Sequence, residues 1–321
     1  MNRISTLKSL IKVGTCSNLV GCLILGSLAA SEANAASCCG GSANFPHLIT
    51  TPTLTQLNTS FSYTDLDSRY DRLNRIRRDL RSDQQDRTLT LQVGLSHQWT
   101  DYWQAGLIAP LIYRNVTMSA SNASEMNLGD VSFFLSHEYW PEFERNFWKP
   151  RGFLSLQWTL PTGISFEESD SSLATDVNGT GQHQVALTHF WMKTAIPWDF
   201  FWTTQARLLI ATTLADQFQV PHRFAGSTEV GIGFSPRGGA WRLGLSLAPH
   251  YEAAYFSQTP FQKTETPARL LWNAGVQLSY LVSPELSLNL SYSDETLIQW
   301  ASTSPALSKT VSINLIQRWL M

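Results

Sequence analysis

Thr88-Leu-Thr-Leu-Gln-Val-Gly-Leu-Ser-His-Gln-Trp99 alternates between apolar and small or polar side chains. Leu89, Leu91, Val93, Leu95 and Trp99 fall on one face, and Thr88, Thr90, Gln92, Gly94, Ser96 and Gln98 on the other. A period of two is the signature of a β-strand with two unlike faces. The same pattern returns in Leu154–Leu160, Trp241–Leu247, Leu270–Tyr280 and Leu286–Tyr292. Twelve such segments can be marked: 53–63, 87–99, 102–115, 128–140, 152–161, 183–195, 199–212, 223–235, 240–254, 268–282, 285–296 and 309–320. The facing of 183–195 is ambiguous from its sequence. Each segment is near the length that crosses a bilayer as a tilted strand.

The connections carry a second signal. Thr100-Asp101, Pro197-Trp198, Ser235–Gly239 and Ser283-Pro284 are short turns, with Pro141–Arg151 a medium one on the same side. Between them lie longer polar loops: Thr64–Asp86, Thr117–Met126, Thr162–Gln182, Ala215–His222, Phe256–Thr266 and Gln299–Ser308. Short periplasmic turns alternating with long external loops are the habit of outer-membrane barrels. Trp99, Tyr102, Trp103, Tyr139, Trp140, Trp198, Trp202, Trp241, Tyr280 and Trp319 gather beside the short turns, as an interfacial aromatic girdle would. The expected fold is therefore all-β: a closed antiparallel transmembrane β-barrel of about twelve strands.

The N-terminus agrees with export. Arg3, Lys8 and Lys12 precede the apolar stretch Leu19–Ala30, and Ala33-Asn34-Ala35 is an A-x-A site. Residues 1–35 thus read as a signal peptide, 36–52 as a periplasmic segment and 53–321 as the barrel. After the signal, no run of 18 apolar residues remains to form a membrane helix. Only a closed barrel would then satisfy every backbone group inside a bilayer. Charged residues are 15% of the chain against about 25% in soluble domains, and the formal net charge is -2. Nothing in that balance suggests nucleic acid.

Leu128-Gly129-Asp130, then Leu160-Pro161-Thr162-Gly163, then Gly179-Thr180-Gly181 form an ordered set of landmarks. In order and spacing they resemble the outer-membrane proteins named for the meta-pathway of phenol degradation, and more loosely FadL-type transporters of hydrophobic compounds. That resemblance implies a transporter-like barrel, fixes no substrate and carries over no catalytic residue. The landmarks also have a purely structural reading, because Pro and Gly end strands and make turns.

If the apolar faces meet lipid, the opposite faces line a lumen. Asp130, Glu138, Arg207, Arg223, Glu229, Arg242, Glu252, Arg269 and Arg318 are the lumen-lining candidates. Both signs are present, so ion pairs across the interior are expected, Asp130 among them with an arginine opposite. Mixed signs give no strong ion preference by themselves. Glycines and serines such as Gly94, Ser96, Gly231 and Gly275 leave room for a narrow pore, and residues 36–52 are long enough to fold inward as a plug.

Cys38-Cys39 is the most unusual local feature, a candidate soft-metal site near His47 that lacks the usual ligand spacing. No other cofactor is expected. No G-x-S-x-G appears, and His97, His137, His183, His189 and His250 lack metal-ligand spacing, so no enzyme is expected. The final strand puts Val311, Ile313, Leu315, Trp319 and Met321 on one face. It resembles the C-terminal signal strand read by the barrel-assembly machinery, although Met321 replaces the usual terminal aromatic. The expected partners are that machinery, outer-membrane lipids and a small-molecule solute. Taken together, these features point to a bacterial outer-membrane channel or transporter for small molecules, hydrophobic or aromatic ones included. A non-transporting adhesive barrel and a lipase-like barrel are the alternatives.

Overall fold

A computed structural model of the chain describes residues 47–50, 53–71, 76–80, 84–118, 121–141, 149–213, 219–236, 239–258, 263–304 and 306–320. The expected signal peptide and Cys38-Cys39 lie outside those residues. Twelve strands form one closed antiparallel sheet. They are β1 (Thr53–Asp71), β2 (Gln84–Gln98), β3 (Trp103–Met118), β4 (Val131–Trp140), β5 (Arg151–Leu160) and β6 (Gln184–Ala195), followed by β7 (Trp198–Leu209), β8 (Arg223–Phe234), β9 (Trp241–Glu252), β10 (Arg269–Ser283), β11 (Leu286–Asp294) and β12 (Ala306–Leu320). Each pairs with its sequence neighbours, and β12 closes the ring on β1 with Phe61 opposite Ile313 and Gln56 opposite Arg318. Closure leaves no free sheet edge in the bilayer, where an unpaired backbone group would cost several kcal/mol.

The burial pattern is inverted relative to a soluble protein. On β2, Leu95 is 49% exposed while Ser96 is 1%. On β4, Phe133 and Leu135 are exposed while Ser132 and Ser136 are buried. The outer faces of β7 and β9 show Trp198, Phe200, Trp202, Leu208, Trp241, Leu243 and Leu245, all exposed. In water such a surface would be untenable for a monomer. Against lipid tails it is the stable arrangement, so the barrel is an outer-membrane barrel. The ambiguous segment is resolved as well: Gln184, Ala186, Thr188, Phe190 and Met192 of β6 point inward and are buried, while Leu187 faces out.

All five short connections lie at one end and all six long ones at the other. The short end carries the girdle, with the Trp241 and Tyr280 rings 4.3 Å apart and Trp103 stacked on His137 at 4.4 Å. The loops hold more strand than the sequence pattern reveals. β1 runs on to Asp71 and pairs with Ile76–Asp79, and the outer part of β3 pairs with a further strand, Ser121–Leu128. A second sheet joins Thr212–Thr213, Gln219–Val220, Tyr255–Gln258 and Lys263–Thr266. Above the membrane both faces of a strand are wet, so no hydrophobic alternation marks it.

Candidate lumen site

The interior of the barrel has two unlike sides. Along β3 to β7 it is filled by an apolar cluster of Leu48, Ile108, Phe134, Phe153, Phe190, Met192 and Phe201. Leu48 belongs to no strand. It comes from the chain before β1, which enters the barrel and docks by its backbone. The Ile49 amide donates to Gln104 Oε1 at 2.7 Å, and Gln104 Nε2 returns a bond to Ile49 O at 3.0 Å. The Ser96 hydroxyl donates to His47 O at 2.6 Å, and Arg151 donates to Thr50 O. His47 lies on Gly94, where any Cβ would run into the imidazole ring. Glycine at 94 is thus the residue that lets the segment lie against the wall.

The other side, β8 to β12 with β1 and β2, stays open. It holds a cavity of about 320 Å³, within the range of small-molecule sites. Hydroxyl- and amide-bearing residues predominate in its lining, among them Ser60, Gln92, Asn273, Gln277, Asn289 and Ser312. Small inward residues, Gly244, Ser246 and Gly275, keep it empty. Glu229 and His250 border it, and the Phe201 ring adds one apolar surface.

The lumen candidates read from the sequence face inward on alternating positions, but they do not act as one set. Glu138 lies at the periplasmic end in a forked pair with Arg151, at 2.6 and 2.7 Å. Arg242 makes a second fork with Asp199, at 2.7 and 2.5 Å, and both side chains are nearly fully buried. Toward the external end, Glu252 lies between Arg223 at 3.7 Å and Arg269 at 3.9 Å. Arg207 shares a transverse row with them, since Ala225 faces both Arg207 and Glu252 across the sheet, and it donates to Gln205 at 3.0 Å. Arg318 is buried at the floor beside Gln56.

Asp130 behaves differently from the sequence expectation. Among the described residues no arginine pairs with it. Its Oδ1 accepts the Gly163 amide at 3.0 Å, and its Oδ2 accepts the amide and the hydroxyl of Thr180 at 2.9 and 3.1 Å. Thr162 adds a bridge, accepting from the Val131 amide and donating to Gly129 O. The three sequence landmarks therefore converge on one carboxylate at the external rim. They hold the ends of the loop between β5 and β6. A Cβ at Gly179 would come within 2.6 Å of Asp130 Oδ1, so only glycine lets this strand of the loop approach. The middle of the same loop reaches β3, where Ala174 O accepts from Arg114 at 3.0 Å.

Four charged partners, Asp86, Arg114, Arg151 and Asp199, escaped the sequence reading. Asp86, forked to Arg114 at 3.1 and 2.9 Å, looks like part of a charged loop. Arg151 looks like a turn residue. Asp199 could have been found, because Trp198, Phe200 and Trp202 set the outward parity of β7 and leave position 199 inward. The histidines stay apart. His137 and His189 face outward among girdle aromatics, with His189 Nε2 2.6 Å from the Tyr139 hydroxyl. Among the described residues no group of His, Cys, Asp and Glu is placed to hold a metal.

No protein-family model matches the chain, and no curated protein matches it in sequence. Solved structures do. An outer membrane channel from Pseudomonas putida F1 aligns over 84% of this chain and 97% of its own, with a TM-score of 0.65 at 13% identity. The translocator domain of the autotransporter NalP from Neisseria meningitidis aligns over 85% and 91%, with a TM-score of 0.49 at 12% identity. The β domain of a Bordetella autotransporter aligns over 83% and 100%, with a TM-score of 0.47 at 12% identity. At such identities the shared property is the barrel itself, and the chain folds as a bacterial outer-membrane β-barrel.

Proposed function

We propose that this barrel is a channel for small polar molecules across the outer membrane, narrowed by its own N-terminal segment. The observation that carries this reading is the hydroxyl- and amide-lined cavity of about 320 Å³ inside a closed barrel. A purely structural or adhesive barrel has no need of an open interior, and small barrels fill theirs with side chains. Here only one side is filled, and the filler includes residues 47–50. The segment expected to act as a plug would then be a lining that halves the bore.

Membership in the phenol meta-pathway family is part of the same proposal. It is supported by the convergence of the Leu128–Asp130, Pro161–Gly163 and Gly179–Gly181 landmarks on Asp130. A second reading, passage of apolar or aromatic solutes, is favoured by the apolar cluster of Leu48, Phe134, Phe153, Phe190 and Phe201 along the opposite wall. The outward faces of Val311, Ile313, Leu315 and Trp319 on β12 support recognition by the assembly machinery.

Single-channel recording of refolded, signal-free protein in planar bilayers tests the channel. Discrete conductance steps are expected. A sealed bilayer containing folded, heat-modifiable protein would defeat the channel reading. Liposome swelling then separates the two solute classes, with small polar solutes expected to outrun toluene-like ones.

A further inference from the structure

The charges of the open side do not cancel. Asp199 is consumed by Arg242, and Glu252 is shared by Arg223 and Arg269, with Arg207 in the same transverse row. Glu229 is the other inward carboxylate bordering this side, and it is 2% exposed and engaged. At the floor stands Arg318. It is 5% exposed, its Nε has no hydrogen-bond partner, and among the described residues no carboxylate lies within ion-pair distance of it. Glu285, whose carbonyl accepts the Arg318 amide, turns its carboxylate to the Ser283 hydroxyl at 2.8 Å. Counting Asp199 and Arg207 of the bordering strand β7 with the open side, five arginines thus face three carboxylates there among the described residues. Elsewhere on the wall, Glu138 pairs with Arg151 and Asp86 with Arg114, and Asp130 at the external rim is held by amides and a hydroxyl.

A buried cation without a counter-ion is costly, and retaining one against that cost calls for a function or a mobile anion. The groups near Arg318 point the same way. Ser287, on the next strand, faces the same interior, and so does Ser279 one strand further. Both hydroxyls are buried and unpartnered. A guanidinium with hydroxyls free to donate beside it complements an anion.

We infer that the channel is selective for small anions, carboxylates among them, and that Arg318 at the floor and Arg207 near the outer end set this preference. The inference rests on the channel reading and names the solute class of the same lumen. The surplus charges act by their field on an ion in a narrow, low-dielectric passage, so they need not touch it. Arg207 stands on β7 toward the outer end and Arg318 on β12 at the floor, so an anion meets a favourable potential at both ends of the passage.

Reversal potentials of the refolded full barrel across a potassium chloride gradient test this. Chloride should permeate more readily than potassium, roughly threefold or more at 0.1 M salt, the order a single surplus charge about 8 Å away supplies. Preference should weaken at 1 M salt, where screening shortens to about 3 Å. Arg318→Gln and Arg207→Gln should each lower the ratio, and the double variant should bring it near unity. Arg318→Lys, which keeps the charge, should retain it, and Glu285→Gln should leave it unchanged or raised. Potassium acetate in place of chloride asks whether organic anions share the path, and a ratio retained with acetate supports the carboxylate class. Conductance with no anion preference, or a ratio indifferent to both arginine substitutions, would overturn the inference while leaving the channel standing. Absence of any conductance from folded protein would remove the channel reading first and this one with it.

Discussion

The carboxylate of Asp130 accepts both the amide and the hydroxyl of Thr180, at 2.9 and 3.1 Å, although the two residues are fifty positions apart. A charge-assisted bond to a backbone amide is among the stronger contacts a loop can make, and Asp130 makes one to each side of the β5–β6 loop. Its place at the rim means that it fixes where that loop leaves and re-enters the barrel.

Asp130→Ala should therefore free the loop without unfolding the barrel, since no strand pairing depends on it. Limited proteolysis of liposome-embedded protein should cut between residues 162 and 182 faster than in the parent, with unchanged heat-modifiability. Asp130→Asn, which keeps an acceptor, should fall between the two. Equal cleavage in all three would mean that the loop is held by other contacts.

The Asp199–Arg242 fork makes a different kind of prediction. Both groups are almost fully buried, so removing either leaves an uncompensated charge in the wall. Breaking a buried pair this way costs about 3–5 kcal/mol. Asp199→Asn should lower the urea midpoint for unfolding from vesicles accordingly. The double variant Asp199→Asn with Arg242→Gln should recover most of the loss, because no lone charge remains. If the double variant is as unstable as the single, the fork contributes packing and not charge balance.

Much of the barrel was legible because lipid imposes a simple rule on each spanning segment. In β2 and β9 every second residue is apolar, and that alone gave the spans and the facing. The rule fails where its cause is absent. β6 carries Phe190 and Met192 inward against Leu48, so both of its faces read as apolar. The strands above the membrane have two wet faces and no period. The lumen was legible as a list of charges but not as a pattern of pairs. Glu138 finds Arg151 across a turn, whereas Arg242 finds Asp199 forty-three residues earlier. Such pairing depends on strand register and is not written locally. The three glycine-bearing landmarks were visible, but their shared anchor on Asp130 emerges only when the loop closes.

Gly94 and His47 predict the weight of the N-terminal lining. A Leu at position 94 would occupy the space of the imidazole ring while remaining a tolerable inward residue of a strand. Gly94→Leu should expel residues 47–50 from the wall and widen the bore. The measured effect should be a larger single-channel conductance, matched by deletion of residues 36–50. The deletion in the Gly94→Leu background should add nothing further. If Gly94→Leu conducts like the parent and the deletion still raises conductance, the lining is held by its backbone bonds to Gln104 and Ser96 alone.

The same contact should make the bore respond to acid. His47 is buried with neither ring nitrogen hydrogen-bonded, and burial pushes its pKa down to about 4 from the ordinary 6.5. A depressed histidine pKa means that the docked state binds the proton less well than the free segment does. Docking is therefore at full strength above pH 6.5. It weakens as pH falls from 6.5 toward 4, by about 3 kcal/mol in all, since each pKa unit is worth about 1.4 kcal/mol. Conductance should rise over that window when the compartment facing the short turns is acidified. His47→Phe, which fills the same pocket without titrating, should flatten the profile there. That control matters because Glu138, in its fork with Arg151 beside Thr50, is the other ionisable group at this contact. A His47→Phe barrel that still opened between pH 6.5 and 4 would show that His47 is not the group that responds. A parent barrel indifferent to pH throughout would show that the lining stays docked even with His47 protonated.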